Sequence, residues 1–328
     1  MAAKNHVENV AIVGAGGNMG SYIVKAMLKE GKHKIIAITR ADSSSEMPEG
    51  LTVKRVNYDS PDELAEALMG QDALIITLSG IAPPEQQMRL VEAAAAANVR
   101  WVMPSWFGPD GKNESLRIDT MLDGHITPLL KRIEELGKSS WICLACSFWY
   151  EWSLGGGAWG LGQVMYGFDL RNRTVTFIDD GMTKINTSTW PQAGLAVARL
   201  FSLKEKPDGP DDKSPALSQL KNDYVYVSSF LASQKDIFES VLRVTGTKEG
   251  DWQAKYVDHE ERYDEGEKQQ QAGDRMGFAK VLYTRVFFPN GDGNFEAKYG
   301  LHNDILGLPK GNIDDATKAA FEYGQVPL

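Results

Sequence analysis

Residues 10–28, VAIVGAGGNMGSYIVKAML, decide the fold. An apolar run, Val10 to Val13, breaks into glycines at 14, 17 and 20, with one more at 16, and then resumes with helical rather than alternating spacing. A strand that stops at glycine and turns straight into a helix gathers backbone N–H groups and the positive end of a helix dipole in one place, which suits a pyrophosphate. Glycine is needed there because a Cβ would keep the backbone away from the ligand. In this strand–glycine–helix setting, G-x-x-G-x-x-G predicts dinucleotide binding by Gly14, Gly16, Gly17, Asn18, Met19 and Gly20.

The next strand selects the cofactor. It reads KIIAITR, residues 34–40, and ends in arginine where an NAD-preferring fold carries an Asp or Glu for the ribose 2′-hydroxyl. The Arg40 guanidinium suits a 2′-phosphate, so NADP(H) is the expected cofactor. Thr39 and the run Ser43 to Ser45 add hydroxyls nearby, and Ser79 and Gly80, just past the fourth strand, are assigned to the same cleft.

Outward from this unit, strands and helices alternate. Short apolar runs near 9–14, 34–39, 51–57, 73–78, 100–104 and 140–147 suit a sheet buried on both faces. Between them lie helices such as SPDELAEALMG (60–70), with a Ser cap, Pro in the first turn and Gly at its end, and the Ala-rich PEQQMRLVEAAAAANV (84–99). Such alternation predicts an α/β, Rossmann-type doubly wound parallel sheet. After about residue 150 the rhythm changes. A strand pair is expected over 173–189, a helix over 190–203, a surface loop in KEKPDGPDDKSP and a strand in DYVYVSSF, 223–230. Residues 257–275, acidic and Gln-rich, read as a solvated helix face or a loop. The expected division is an NADP-binding domain over 1–150 and a smaller α+β substrate domain over 151–328, with some segments returning to the first.

Composition narrows the function. The chain has 328 residues, 42% of them apolar, and a net charge of −9 without any basic run, so a nucleic-acid footprint is excluded as the expected role. Neither a membrane span nor a secretory signal is read at the N-terminus, and a cytoplasmic location is expected. Cys143 and Cys146 in WICLACSF fall on opposite faces of a strand, which predicts two buried thiols rather than a redox pair. The sequons at Asn113 and Asn186 carry no weight in such a protein. PNGDGNFE, 289–296, is similar to part of a calcium loop, but Phe295 and Leu301 stand where that loop needs Gly and Glu, so it reads as a turn and no metal is expected.

Taken together, these residues resemble a known family. The glycine pattern with Arg40, the stretch VEAAAAANVRWVMPSWFGPD (91–110) and the aromatic strand end are similar to the isoflavone reductase and NmrA-like branch of the atypical short-chain dehydrogenases. INTSTWPQAG, DGMTKIN and FFPNGDGNFE extend the likeness, closest to fungal CipA-like oxidoreductases, to nearly the whole chain. The resemblance implies that PSWFG, matching the family's P-S-E-F-G, lies by the nicotinamide, with Pro104, Ser105 and Trp106 on the cofactor and Phe107 on the substrate side.

Two departures bear on the chemistry. There is no Y-x-x-x-K, and the lysine that isoflavone reductases carry eleven residues before a helix-ending Gly has no counterpart in LDGHITPLLKRIEELG (122–137). His125 is the expected proton donor by position and by its near-neutral titration, with Tyr150 in reserve. In SFWYEWSLGGGAWG, Trp149, Tyr150, Trp152 and Trp159 gather at the edge where ligands of open α/β sheets bind, and Trp149, Tyr150 and Trp152 are the expected substrate walls. The reaction expected is reduction by NADPH of a C=C, C=N or C=O group in a small aromatic or polycyclic metabolite, with a homodimer left open. A non-catalytic NADP(H)-sensing regulator and an isomerase or cyclase that keeps its nucleotide are the alternatives.

Overall fold

The computed structural model describes residues 5–79, 82–157 and 161–328. In its first half β1 (Asn9–Val13), α1 (Asn18–Glu30), β2 (Lys34–Arg40), β3 (Thr52–Val56), α2 (Pro61–Leu68), β4 (Ala73–Ile76), α3 (Pro84–Ala96) and β5 (Trp101–Met103) alternate as expected. The signals that predicted α2 act as drawn: the Ser60 hydroxyl accepts from the Glu63 N–H and Pro61 occupies the first turn, a cap that contributes about 1 kcal/mol. β6 (Phe107–Gly108), α4 (Glu114–Asp119), α5 (Asp123–Leu136) and β7 (Ser140–Ala145) follow.

One parallel sheet organises these elements, in the order β12-β7-β5-β4-β1-β2-β3, with β6 also paired to β7. β12 (Asp223–Tyr226) is supplied by the second half of the chain. Because side chains alternate along a strand, Val10, Ile12 and Ile75 pack into the core on one face while Ala11, Val13, Leu74 and Ile76 pack into the core on the other. Burial on both sides is why these strands read as unbroken apolar runs. Cys143 and Cys146 fall on opposite faces of this sheet region, both fully buried and free.

The second half begins with β8 (Phe148–Trp149), α6 (Tyr150–Gly155), α7 (Gly162–Met165) and β9 (Phe168–Asp169). β10 (Thr174–Ile178) and β11 (Ile185–Ser188) form where a strand pair was expected, but they do not pair with each other. β10 joins β14 (Gln253–Val257) and β9, whereas β11 joins β13 (Phe230–Ala232) and β8. The strand expected over 223–230 also divides, because Asn303 takes the Ser228 N–H and Thr187 takes that of Ser229. β12 therefore enters the large sheet and β13 a small one.

α8 (Trp190–Phe201), capped by Thr189, packs on α1. The acidic stretch is helical, α10 (His259–Gln271), and lies against α11 (Arg275–Val286). α9 (Gln234–Thr245) and α13 (Ile313–Tyr323) pack together, and α13 also covers α6. The turn before α12 (Phe295–Tyr299) spends its Asp292 carboxylate on Arg285 and Lys298, at 2.8 and 3.0 Å. No described helix is long and apolar enough to cross a membrane.

Candidate functional site

The carboxyl ends of β1, β2, β4, β5 and β7 meet at one crest of the large sheet, and that crest carries most of the residues singled out in the sequence. Gly14 sits at φ +83°, a conformation that side chains rarely adopt, and its carbonyl accepts the Gly17 N–H at 2.9 Å. A Cβ on Gly20 would stand 2.1 Å from that same carbonyl oxygen and 2.8 Å from the Thr77 hydroxyl, which bonds the Val13 and Gly14 carbonyls. Glycine at 14 and 20 thus lets strand, turn and helix close on one another. Gly17 caps α1 with no side-chain hydrogen bond and no acidic residue lies in the first turn, so the first N–H groups of the helix stay open to an anion. This cradle fits a dinucleotide pyrophosphate. Asn18 is exposed and bonds the Tyr323 phenol, whereas the Met19 side chain is buried in the core, leaving only its backbone for a ligand.

Arg40 ends β2 with its guanidinium exposed and only a 3.8 Å approach to Asp42, while Thr39 beside it is buried. A residue that sequence reading missed is Arg55 of β3, which pairs with Thr39 across the sheet and donates to the Ser43 carbonyl at 2.6 Å. Only the tertiary register brings this second cation to the end of β2. Ser79 is exposed past β4, and Gly80 lies outside the described residues.

At the next two strand ends, Ser105 is fixed by its hydroxyl to the Leu78 carbonyl and by its N–H to Gln87. Pro104 is buried and Phe107 half-buried. Trp106 departs from the cofactor-side expectation: its indole turns into the core, donates to the Pro109 carbonyl and packs edge-on to Tyr224 at 6.0 Å. Burying so large a ring against the sheet outweighs leaving it in the cleft.

Beyond β7, Ser147 donates its N–H to the Gly108 carbonyl and so lies against the PSWFG turn. Its hydroxyl is buried without a hydrogen-bond partner. Trp149 then faces Trp190 at 6.0 Å, Trp190 stacks on Tyr22 of α1 at 5.8 Å and meets Tyr323 edge-on at 5.0 Å, and Trp152 lies 5.9 Å from Tyr323. This aromatic group therefore stands over the first turns of the glycine helix. Trp159 lies outside the described residues.

Tyr150 points the other way. It is fully buried in the core of the second half, its hydroxyl 2.8 Å from that of Thr317, and burial pushes its pKa far up. That placement corrects the expectation that it lines the substrate or gives a proton. His125 is exposed in the first turn of α5, not ahead of a helix, and Ile126 beside it is buried.

Sequence reading also passed over Glu151, the acid inside the aromatic stretch. Its carboxylate accepts the Trp190 N–H at 3.1 Å while 5% of the residue is exposed, and burial raises its pKa to about 7. A single acid among four aromatic residues was the available signal. Both cysteines are pushed up by burial, Cys146 to about 12, and neither is a nucleophile at neutral pH. A separate cleft of about 340 Å³ lies between α10 and α11 and includes Arg262, Glu265 and Lys280, but none of the residues assigned to cofactor or substrate lines it.

Comparison with known proteins agrees with this geometry. Residues 14–131 match a family model described as NAD(P)H-binding. An oxidoreductase of Aspergillus flavus, aprR, is 27% identical over 312 residues, covering 93% of this chain and 96% of that protein. A crystal structure of isoflavone reductase has the same fold, with a TM-score of 0.73 at 18% identity over 96% of this chain and 99% of the other. A structure solved with NADP+ and (+)-pinoresinol shares it as well, with a TM-score of 0.65 at 18% identity over 97% and 94%. The chain thus carries an NAD(P)H-binding region over residues 14–131, has the fold of isoflavone reductase, and is related along nearly its whole length to a fungal oxidoreductase.

Proposed function

We propose that this protein is an NADPH-dependent reductase of a small aromatic or polycyclic molecule, delivering hydride to a C=C, C=N or C=O group. The observation that carries the reading is the sharing of one crest by a glycine turn open to pyrophosphate, an arginine at the end of β2 and an aromatic wall of Trp149, Trp152 and Trp190. Gly14, Gly16, Gly17, the backbone of Asn18 and Met19, and Gly20 hold the pyrophosphate; Thr39 and Arg40 take the 2′-phosphate. Ser79, Pro104, Ser105 and Phe107 flank the nicotinamide half. The bound cofactor supplies a hydride equivalent, and the indoles present a flat, water-excluding surface to a conjugated ring. The relatives support this: an oxidoreductase by name, and a fold-mate solved with an aromatic ligand.

The test is calorimetry followed by turnover. NADPH should bind at least tenfold more tightly than NADH, since one charge-assisted bond contributes about 1.5–3 kcal/mol. Arg40→Ala should erase that preference, and a panel of aromatic quinones, enones and imines should yield at least one acceptor that oxidises NADPH. Equal affinities would remove the cofactor assignment; tight binding with no acceptor turned over would favour a dinucleotide-sensing regulator.

A further inference from the structure

Two carboxylates are buried among the described residues, Asp110 and Glu151. Asp110 receives the Tyr226 hydroxyl at 2.6 Å on the β12 side of the sheet. Glu151 stands instead at the crest, in the first turn of α6, held by the N–H of Trp190 at the start of α8. That helix start already has a cap in Thr189, whose hydroxyl accepts the Gln192 N–H, so a neutral acceptor would do for Trp190. Beside the Trp190 N–H the carboxyl group has only the backbone N–H of Glu151 itself, and burial still outweighs the two. Three further polar groups on this stretch and its partner helix are left without partners: the Ser147 hydroxyl against the PSWFG turn and the indole N–H groups of Trp149 and Trp190, with Ser147 and Trp190 2% and 3% exposed. Buried donors are rarely left unsatisfied without a reason. Ser147 on the side of the PSWFG turn, and Glu151 with Trp190 on the side of the aromatic wall, thus offer a hydroxyl, a carboxyl group and an indole N–H.

We propose that Glu151 is the catalytic proton donor, and that Ser147 and the Trp190 indole hold the substrate oxygen to which the proton goes. This rests on the reductase reading above and restricts its substrates to those whose reduced group ends in oxygen: a quinone, an enone or a ketone. As hydride from the reduced nicotinamide reaches carbon, the π pair moves to oxygen. The O–H bond of Glu151 breaks as the new O–H bond forms, and the carboxylate left behind takes a proton back from solvent. The substrate gains two electrons, and the dinucleotide loses them.

The surroundings favour the protonated acid. The ionisable groups facing it are Tyr22 on α1, whose own pKa is raised by burial and then by Glu151, and Tyr150 on the same helix, also raised by burial. Both are neutral at pH 7. α8 presents the Trp190 backbone N–H and its ring, and α13 places Tyr323 beside that ring. The resulting value of about 7 suits general-acid work near neutral pH.

The test uses the full chain with NADPH and 1,4-naphthoquinone, and the variant Glu151→Gln, whose amide oxygen can still accept the Trp190 N–H. Turnover should fall about a hundredfold or more while NADPH affinity is retained. The wild-type rate should decline tenfold per pH unit above about 7, and the variant should lack that limb. Independently of turnover, tryptophan fluorescence should titrate near pH 7 in the wild type and not in the variant. Variant turnover within threefold of wild type, a retained alkaline limb, or no fluorescence transition would each overturn the assignment. A wild type that reduces other acceptors but no quinone, enone or ketone would also sink it while leaving the reductase reading intact; a wild type with no acceptor at all removes both.

Discussion

Replacing Glu151 by Gln should make the protein more stable at alkaline pH, and by an amount that grows with pH. The acid titrates at 4.5 when unfolded and at about 7 in the fold, because burial penalises its charge more than its own backbone N–H and that of Trp190 relieve it. Folding therefore tightens its hold on the proton. Below pH 4.5 both states carry the proton and the group adds nothing. Between 4.5 and 7 the unfolded chain releases its proton first, so the folded state loses relative stability as pH rises; above 7 the loss is complete, at about 3 kcal/mol. Integrated from pH 5 to pH 8, the wild type should lose about 2.5 kcal/mol relative to Glu151→Gln. Guanidinium unfolding of both proteins without cofactor at the two pH values reads this directly, provided the slopes agree. A wild-type-to-variant difference that stays constant with pH would refute the reasoning and show the carboxylate to be stably ionised where it stands.

Gly20→Ala places a methyl group 2.1 Å from a backbone oxygen that no rotamer change can move; it should reduce NADPH affinity at least tenfold and stability by about 1–3 kcal/mol, and unchanged affinity by calorimetry would mean that the turn relaxes freely. Tyr150→Phe should lower stability by about 1 kcal/mol through loss of the Thr317 contact, since Thr317 keeps its bonds to Ser240 and the Ile313 carbonyl. Its NADPH affinity should not move; a loss there would bring the hydroxyl to the cofactor.

Periodicity and spacing determined a good deal by themselves. The run VAIV, the glycines and the amphipathic α1 are local features, and strand–turn–helix geometry follows from local sterics and hydrogen bonding. The runs that became β1 to β5 and β7 and the cap of α2 are of the same kind. Arg40 was legible because its place is counted from the end of a strand. Pairing was not legible: β10 and β11, adjacent in sequence and both strand-like, find other partners because hydrogen bonds reward whichever edge is nearest in space. Nor did an aromatic stretch reveal which ring faces which way. Trp149 and Tyr150 are neighbours, yet one stands at the crest and the other in the core of the second half, since successive side chains diverge where β8 gives way to α6. Arg55 and Glu151 acquire their places only from register and burial, which depend on residues 16 and 39 positions away. A local pattern determines a turn, but the environment of a charge belongs to the packed chain.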